Sequence, residues 1–117
     1  MALSVFGRHT RAIIRKIDPK LAEKALRSVE KSASLNMTLA NEQHSSLVSA
    51  IEGLGCTIHE IESNDFPDSV FVEDTAIYAQ RQVLLTRPGA ESRRGEIDGV
   101  FTKIEELALD DWNNMEL

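Results

Sequence analysis

The stretch "RAIIRKIDPKLAEKALRSV", residues 11–29, most narrows what this chain can fold into. Its β-branched run from Arg11 to Ile17 ends at Asp18-Pro19, and proline offers a sheet no N–H to pair. The run therefore predicts a strand. Asp18 suits a helix N-cap and Pro19 the first helical position, and Leu21, Ala22, Ala25, Leu26 and Val29 then fall on one helical face. A strand followed at once by a helix commits the chain to an α/β arrangement.

The same alternation continues. After the polar hinge "KSAS", Asn36 caps a second predicted helix whose apolar positions Met37, Ala40, Leu47, Val48, Ile51 and Leu54 recur near the 3.6-residue period. Gly53 and Gly55 stand where it should stop. "CTIHEI" (56–61) reads as a strand and Asn64-Asp65-Phe66-Pro67 as a turn. "VFVEDTAIYA" (70–79) and "QVLLT" (82–86) read as a strand pair hinged at Gln80-Arg81. "RPGAESRRGE" reads as a loop, and Ile97, Val100, Phe101, Ile104, Leu107 and Ala108 as the inner stripe of a last helix. The expectation is helices covering a mixed sheet, in one domain over residues 1–109, with 110–117 ("DDWNNMEL") as a divergent polar tail. A last helix with no returning strand would leave an open sheet edge, so the chain reads as cut short.

Length and charge limit the classes of partner. A chain of 117 residues holds a single hydrophobic core. Its composition, 42% apolar and 27% charged, is that of a globular protein, and no apolar segment is long enough for a membrane span. The net charge of −6 is unevenly spread: from Arg8 to Lys31 there are eight basic residues against three acids. That basic part has only Phe6 for an aromatic, which argues for a solvated face and against a nucleic-acid partner.

Cys56 is the single cysteine, so no internal disulfide forms, and the expected compartment is the cytoplasm, with mitochondrial import the lesser alternative. It opens an apolar strand and reads as a buried, inert thiol. His9, His44 and His59 show no metal-ligand spacing, and His44 reads as a helix-face residue. No cofactor or metal is called for.

The acids of the central stretch carry the functional question. Asp68 follows Pro67 in a turn, but Glu73 and Asp74 are adjacent within an apolar run. On a strand their side chains point to opposite faces, so at least one carboxylate is expected to be buried or to face a pocket. A buried carboxylate needs a partner, and a guanidinium matches it best. That partner is either internal, from Arg81, Arg87, Arg93 or Arg94, or an arginine-like ligand. The three arginines of "TRPGAESRR" before a helix likewise suit either a turn or an anion site.

The stretch "FPDSVFVEDTAIYAQRQVLLTRPGAESRRGEID", with the start "FGRHTRAIIRKIDPKLAEKALR", resembles the dimethylargininases, hydrolases of the guanidino-group-modifying superfamily. The likeness runs from about Phe6 to about Leu107. It implies part of a five-bladed α/β-propeller and, for the family, cofactor-free hydrolysis of asymmetric dimethylarginine or monomethylarginine to citrulline plus an amine, a reaction tied to nitric-oxide regulation. In that family a cysteine attacks the guanidinium carbon and a histidine acts as acid and base. Residue by residue, the resemblance implies that Asp74 grips the substrate guanidinium with Glu73 beside it, and that Asp68 lies near the substrate's amino end. It also implies that Arg93 holds the α-carboxylate and that Leu26 belongs to a flap over the pocket.

The family's catalytic histidine, second arginine and nucleophilic cysteine fall beyond this chain, and Cys56 matches none of them. The implied role is substrate binding by the first part of such a hydrolase, inactive alone, with a methylated arginine as small-molecule partner. The alternative is a non-catalytic short isoform or interaction module with an internal carboxylate–arginine network. Self-association through the open sheet edge is a further expectation.

Overall fold

The computed structural model describes residues 9–27, 34–79 and 82–113. Strand β1 (Arg11–Arg15) pairs in parallel with β2 (Thr57–Ile61), in register Arg11↔Thr57 through Arg15↔Ile61. Strands β3 (Ala76–Ala79) and β4 (Gln82–Leu85) form an antiparallel hairpin, Ala76 facing Leu85. Parallel and antiparallel pairing are thus both present, but in two separate two-stranded sheets where one mixed sheet was expected.

Between β1 and β2 lie α1 (Leu21–Lys24) and α2 (Met37–Gly53). The first is far shorter than its apolar stripe predicts. Asp18 does not cap it; its carboxylate accepts from the Lys20 N–H at 2.8 Å, a local turn that delays the helix start. At the other end Ala25 is extended (φ −61°, ψ 146°), because the next N–H, that of Leu26, is drawn to Asp68. Val29 lies outside the described residues. The ends of helix α2 follow the expectation: the Asn36 side chain accepts from the Leu39 N–H at 3.0 Å, and Gly55, at φ +91°, ends the helix in the left-handed region that glycine enters without penalty. Asn64 and Asp65 also adopt positive φ, 51° and 63°, in the predicted turn.

Helix α3 (Glu96–Asn113) carries the last apolar stripe and runs into the polar segment from Asp110. Its first turn holds Glu96 and Asp98, which complement the positive end of the helix dipole.

Among the described residues the buried apolar side chains are few: Ile14 on β1, Leu21 on α1, Ile61 on β2 and Val100 on α3. Helix α2 buries no residue, and its expected inner positions Leu47 and Leu54 are 57% and 83% exposed. The radius of gyration, 16.1 Å, exceeds the roughly 13 Å of a compact domain of this length. Among the described residues more polar than apolar side chains are buried: Arg15, Asp18, Asp68, Ser69, Thr75 and Glu96. The interior is organised by hydrogen bonds as much as by apolar packing.

Candidate functional site

The segment from Phe66 to Thr75 does not extend into a strand. Successive i+3→i hydrogen bonds fold it: Ser69 N–H to the Phe66 carbonyl, Phe71 to Asp68, Asp74 to Phe71 and Thr75 to Val72. The last bonds close a 3-10 turn at Val72–Asp74, and the Thr75 hydroxyl also donates to the Val72 carbonyl at 2.6 Å. Only Ala76–Ala79 remains of the predicted ten-residue strand. Glu73 and Asp74 therefore do not face opposite sides of a sheet, and both are exposed. Among the described residues the buried carboxylates are Asp18, Asp68 and Glu96, 1%, 5% and 1% exposed.

A spacing of about three residues per turn sends the carbonyls of Asp68 and Phe71 in one direction. Arg93 meets both: its Nη2 donates to the Asp68 carbonyl at 3.3 Å and to the Phe71 carbonyl at 3.1 Å. From Nη1 it donates to Asp74 Oδ2 at 2.7 Å. The opposite edge of the guanidinium lies along Glu96, with Nε to Oε1 at 3.1 Å and Nη2 to Oε2 at 3.0 Å. A second 3-10 turn, Glu91–Arg93, joined to the start of α3 by the two-residue turn Arg94-Gly95, places Arg93 and Glu96 three positions apart on one side. Hydrogen bonding to Glu96 is the main reason the Arg93 guanidinium is held above its ordinary pKa; burial opposes it, and Asp74 adds to it.

Of the arginines weighed as internal partners, Arg93 takes that role. Arg94 closes its own loop, donating to the Pro88 and Gly89 carbonyls at 3.1 and 3.2 Å, Arg87 is exposed, and Arg81 lies outside the described residues. Leu26 and Asp68 also come together: the Leu26 N–H donates to both carboxylate oxygens at 3.1 and 3.2 Å, while the Leu26 side chain is 55% exposed. The fold thus gathers Asp68, Asp74 and Arg93 in one cluster, sets Glu73 on the same turn as Asp74, and ties the Leu26 backbone to Asp68.

Two contributors were missed in the sequence. Glu96 falls within the loop expected over residues 87–96, although its spacing of three from Arg93 is that of an ion pair. Arg15, inside the strand expected over residues 11–17, is 1% exposed, donating from Nε to the Glu62 carbonyl and from Nη1 to the Glu96 carbonyl, both at 2.8 Å. Burial lowers its pKa and the Glu96 charge raises it in opposition. Its guanidinium lies over the Phe66 ring at 5.8 Å, which couples β1 to the turn that begins the site.

Cys56 is part-buried where a fully buried thiol was expected, and its Sγ donates to the His9 carbonyl. Among the described residues no group of three or more His, Cys, Asp or Glu could hold a metal ion, and no helix is long and apolar enough to cross a membrane. An open groove of about 400 Å³ lies between β2 and α3, lined by Glu60, Glu62, Lys103 and Glu106 among others, and contains none of the expected site residues.

Parts of known proteins are similar to this chain. No protein-family profile matches the chain. It is 40% identical over 98 residues to a dimethylarginine dimethylaminohydrolase of Streptomyces coelicolor, covering 83% of this chain and 38% of that protein. A dimethylarginine dimethylaminohydrolase of Pseudomonas aeruginosa is 45% identical over 60 residues, 50% of this chain and 24% of the relative. Among solved structures, a cysteine-to-serine mutant of the Pseudomonas aeruginosa enzyme complexed with citrulline superposes with a TM-score of 0.76 at 32% identity, over 85% of this chain and 38% of that one. A histidine-to-glycine variant carrying an S-methyl-L-thiocitrulline adduct gives 0.77 at 32% identity, over 86% of this chain and 39% of that one.

The chain therefore has part of an α/β fold found in a group of hydrolases. It is a homologue of the dimethylarginine dimethylaminohydrolases, matched over less than two-fifths of their length.

Proposed function

We propose that this chain supplies substrate-binding groups to a hydrolase that converts asymmetric dimethylarginine or monomethylarginine to citrulline and an amine. One observation carries the reading. Arg93 is in hydrogen-bond contact with the exposed Asp74 carboxylate and with the Asp68 backbone carbonyl at once, in a homologue of such hydrolases, while the buried Asp68 carboxylate accepts from the Leu26 N–H. A methylated arginine presents the complement: a guanidinium at one end and an ammonium and a carboxylate at the other.

In this reading Asp74 holds the guanidinium, Glu73 borders it, Asp68 lies toward the ammonium and Arg93 takes the carboxylate. The Leu26 side chain closes over the ligand from a segment anchored on Asp68. The complete architecture is a five-bladed α/β-propeller of which this chain is a part. The chemical step needs a thiolate to attack the guanidinium carbon and a histidine to move the proton, and neither comes from the cluster around Arg93. Each two-stranded sheet also presents an edge through which copies of the chain associate.

Calorimetric titration of the 117-residue chain with asymmetric dimethylarginine tests the binding role. Heat that saturates with one ligand per chain, and that disappears in Asp74→Ala, is expected. No heat from the unsubstituted chain, or release of citrulline by this chain alone, overturns the assignment. Size-exclusion chromatography at increasing concentration reads the association.

A further inference from the structure

The two carboxylates on Arg93 differ in one decisive respect. Asp74 is 54% exposed and meets Nη1, whereas Glu96 is 1% exposed and meets Nε and Nη2. Water and solutes reach the first contact and not the second. Glu96 is itself fixed at the head of α3, where its backbone carbonyl accepts from the buried Arg15 at 2.8 Å. Arg15 in turn reaches across to the Glu62 carbonyl at the end of β2. Glu96 is thus tied through its main chain to the sheet and through its side chain to Arg93.

We infer that Glu96 is a positioning residue: it holds the inner edge of Arg93 so that the outer Nη1 edge can pass from Asp74 to the carboxylate of an incoming ligand. This rests on the substrate-binding reading above. As observed, the two groups assigned to opposite ends of the ligand, Asp74 and Arg93, hold each other at 2.7 Å. The ligand must part them, its carboxylate replacing Asp74 on Nη1 and its cationic end taking up the released Asp74. An exposed ion pair is weak enough to be exchanged in this way, whereas a buried, doubly hydrogen-bonded one is not. Without Glu96 the guanidinium would follow Asp74 or rotate away when the pair opens. The selectivity for ligands bearing an α-carboxylate would go with it.

The test uses the full 117-residue chain and two readouts. Solvent exchange of the Arg93 Nε–H is followed by nitrogen-15 NMR, and affinity is measured for asymmetric dimethylarginine and for its counterpart lacking the α-carboxylate. Glu96→Gln is expected to accelerate the Nε–H exchange at least tenfold and to erase the preference for asymmetric dimethylarginine, with far-UV circular dichroism unchanged. Glu96→Asp keeps the charge and should restore part of both effects; it also serves if the glutamine variant does not fold. Exchange within twofold of the unsubstituted chain in both variants overturns the inference, as does an undiminished preference for asymmetric dimethylarginine. If the unsubstituted chain binds neither compound, the functional reading falls, and the exchange rates alone decide whether Glu96 fixes Arg93.

Discussion

Removing the carboxylates of Arg93 one at a time should cost very different amounts of stability. Asp74 is half exposed, and ion pairs of that kind contribute roughly 0.2–1 kcal/mol, so Asp74→Asn should cost less than about 1 kcal/mol. Glu96 is 1% exposed and accepts from two nitrogens of a guanidinium that is itself only 13% exposed. Glutamine would present one acceptor and an N–H₂ group to those two donors. Breaking a buried pair typically costs about 3–5 kcal/mol; the Asp68 and Phe71 carbonyls still accept from Nη2, which places Glu96→Gln near ~3 kcal/mol. Domains have roughly 5–15 kcal/mol in total, and one with four buried apolar side chains among its described residues belongs at the low end. Urea unfolding followed by circular dichroism measures both variants. With a slope of about 1–3 kcal/mol per molar, the Glu96→Gln midpoint should fall by roughly 1–3 M, and that of Asp74→Asn by much less. Equal shifts, or a larger one for Asp74→Asn, would refute the division of Arg93 into a fixed and an exchangeable edge.

Three further outcomes follow from the packing around the site. A Cβ at Gly95 would stand 2.6 Å from Phe66 Cζ, and because that ring lies beneath Arg15 it has little room to retreat; Gly95→Ala should cost about 1–3 kcal/mol, with Phe66→Leu recovering part of the loss in thermal unfolding. Asp68→Ala leaves the Leu26 N–H without its acceptor and should destabilise by about 1–3 kcal/mol, while Asp68→Asn keeps an acceptor and should cost less; faster hydrogen exchange at Leu26 in the alanine variant alone is the signature. Hydrogen bonding to Glu62, then the charge of Glu62, holds the Lys16 ammonium above its ordinary pKa. A raised pKa means its stabilising effect is complete below the ordinary lysine value and disappears as pH climbs through the raised one. An NMR titration placing the Lys16 midpoint at or below that of free lysine would contradict the pairing.

The elements legible in the sequence are those whose signals are local. Asn36 and Gly55 bracket α2 because a side-chain cap and a left-handed glycine act within a few residues. β1 and β2 were readable from β-branched runs ended by Asp18-Pro19 and by Asn64-Asp65. Misread elements were those in which a distant group outbids local preference. Leu21 to Val29 carries a helical stripe, yet the bond from Leu26 to Asp68, 42 positions on, draws the chain out after Lys24. Val70 to Ala79 has strand-forming residues, yet carbonyls turned toward Arg93 favour 3-10 turns over an extended ladder.

The site divides in the same way. Sequence alone determined which chemical groups are present: the acids at 68, 73 and 74, the arginine at 93 and the homology they announce. It also led to the expectation that a buried carboxylate is met by a guanidinium, which holds for Glu96 but not for Asp68 or Asp18, whose carboxylates accept from the Leu26 and Lys20 N–H groups. Which carboxylate is buried, and which arginine answers it, were decided only by tertiary structure. Burial and ion pairing depend on groups brought together from β1, the Phe66–Thr75 turns and the head of α3, and no local pattern encodes that meeting. The adjacent acids that drew notice stay at the surface, and the buried partner of Arg93 proves to be Glu96, which strand alternation never pointed to.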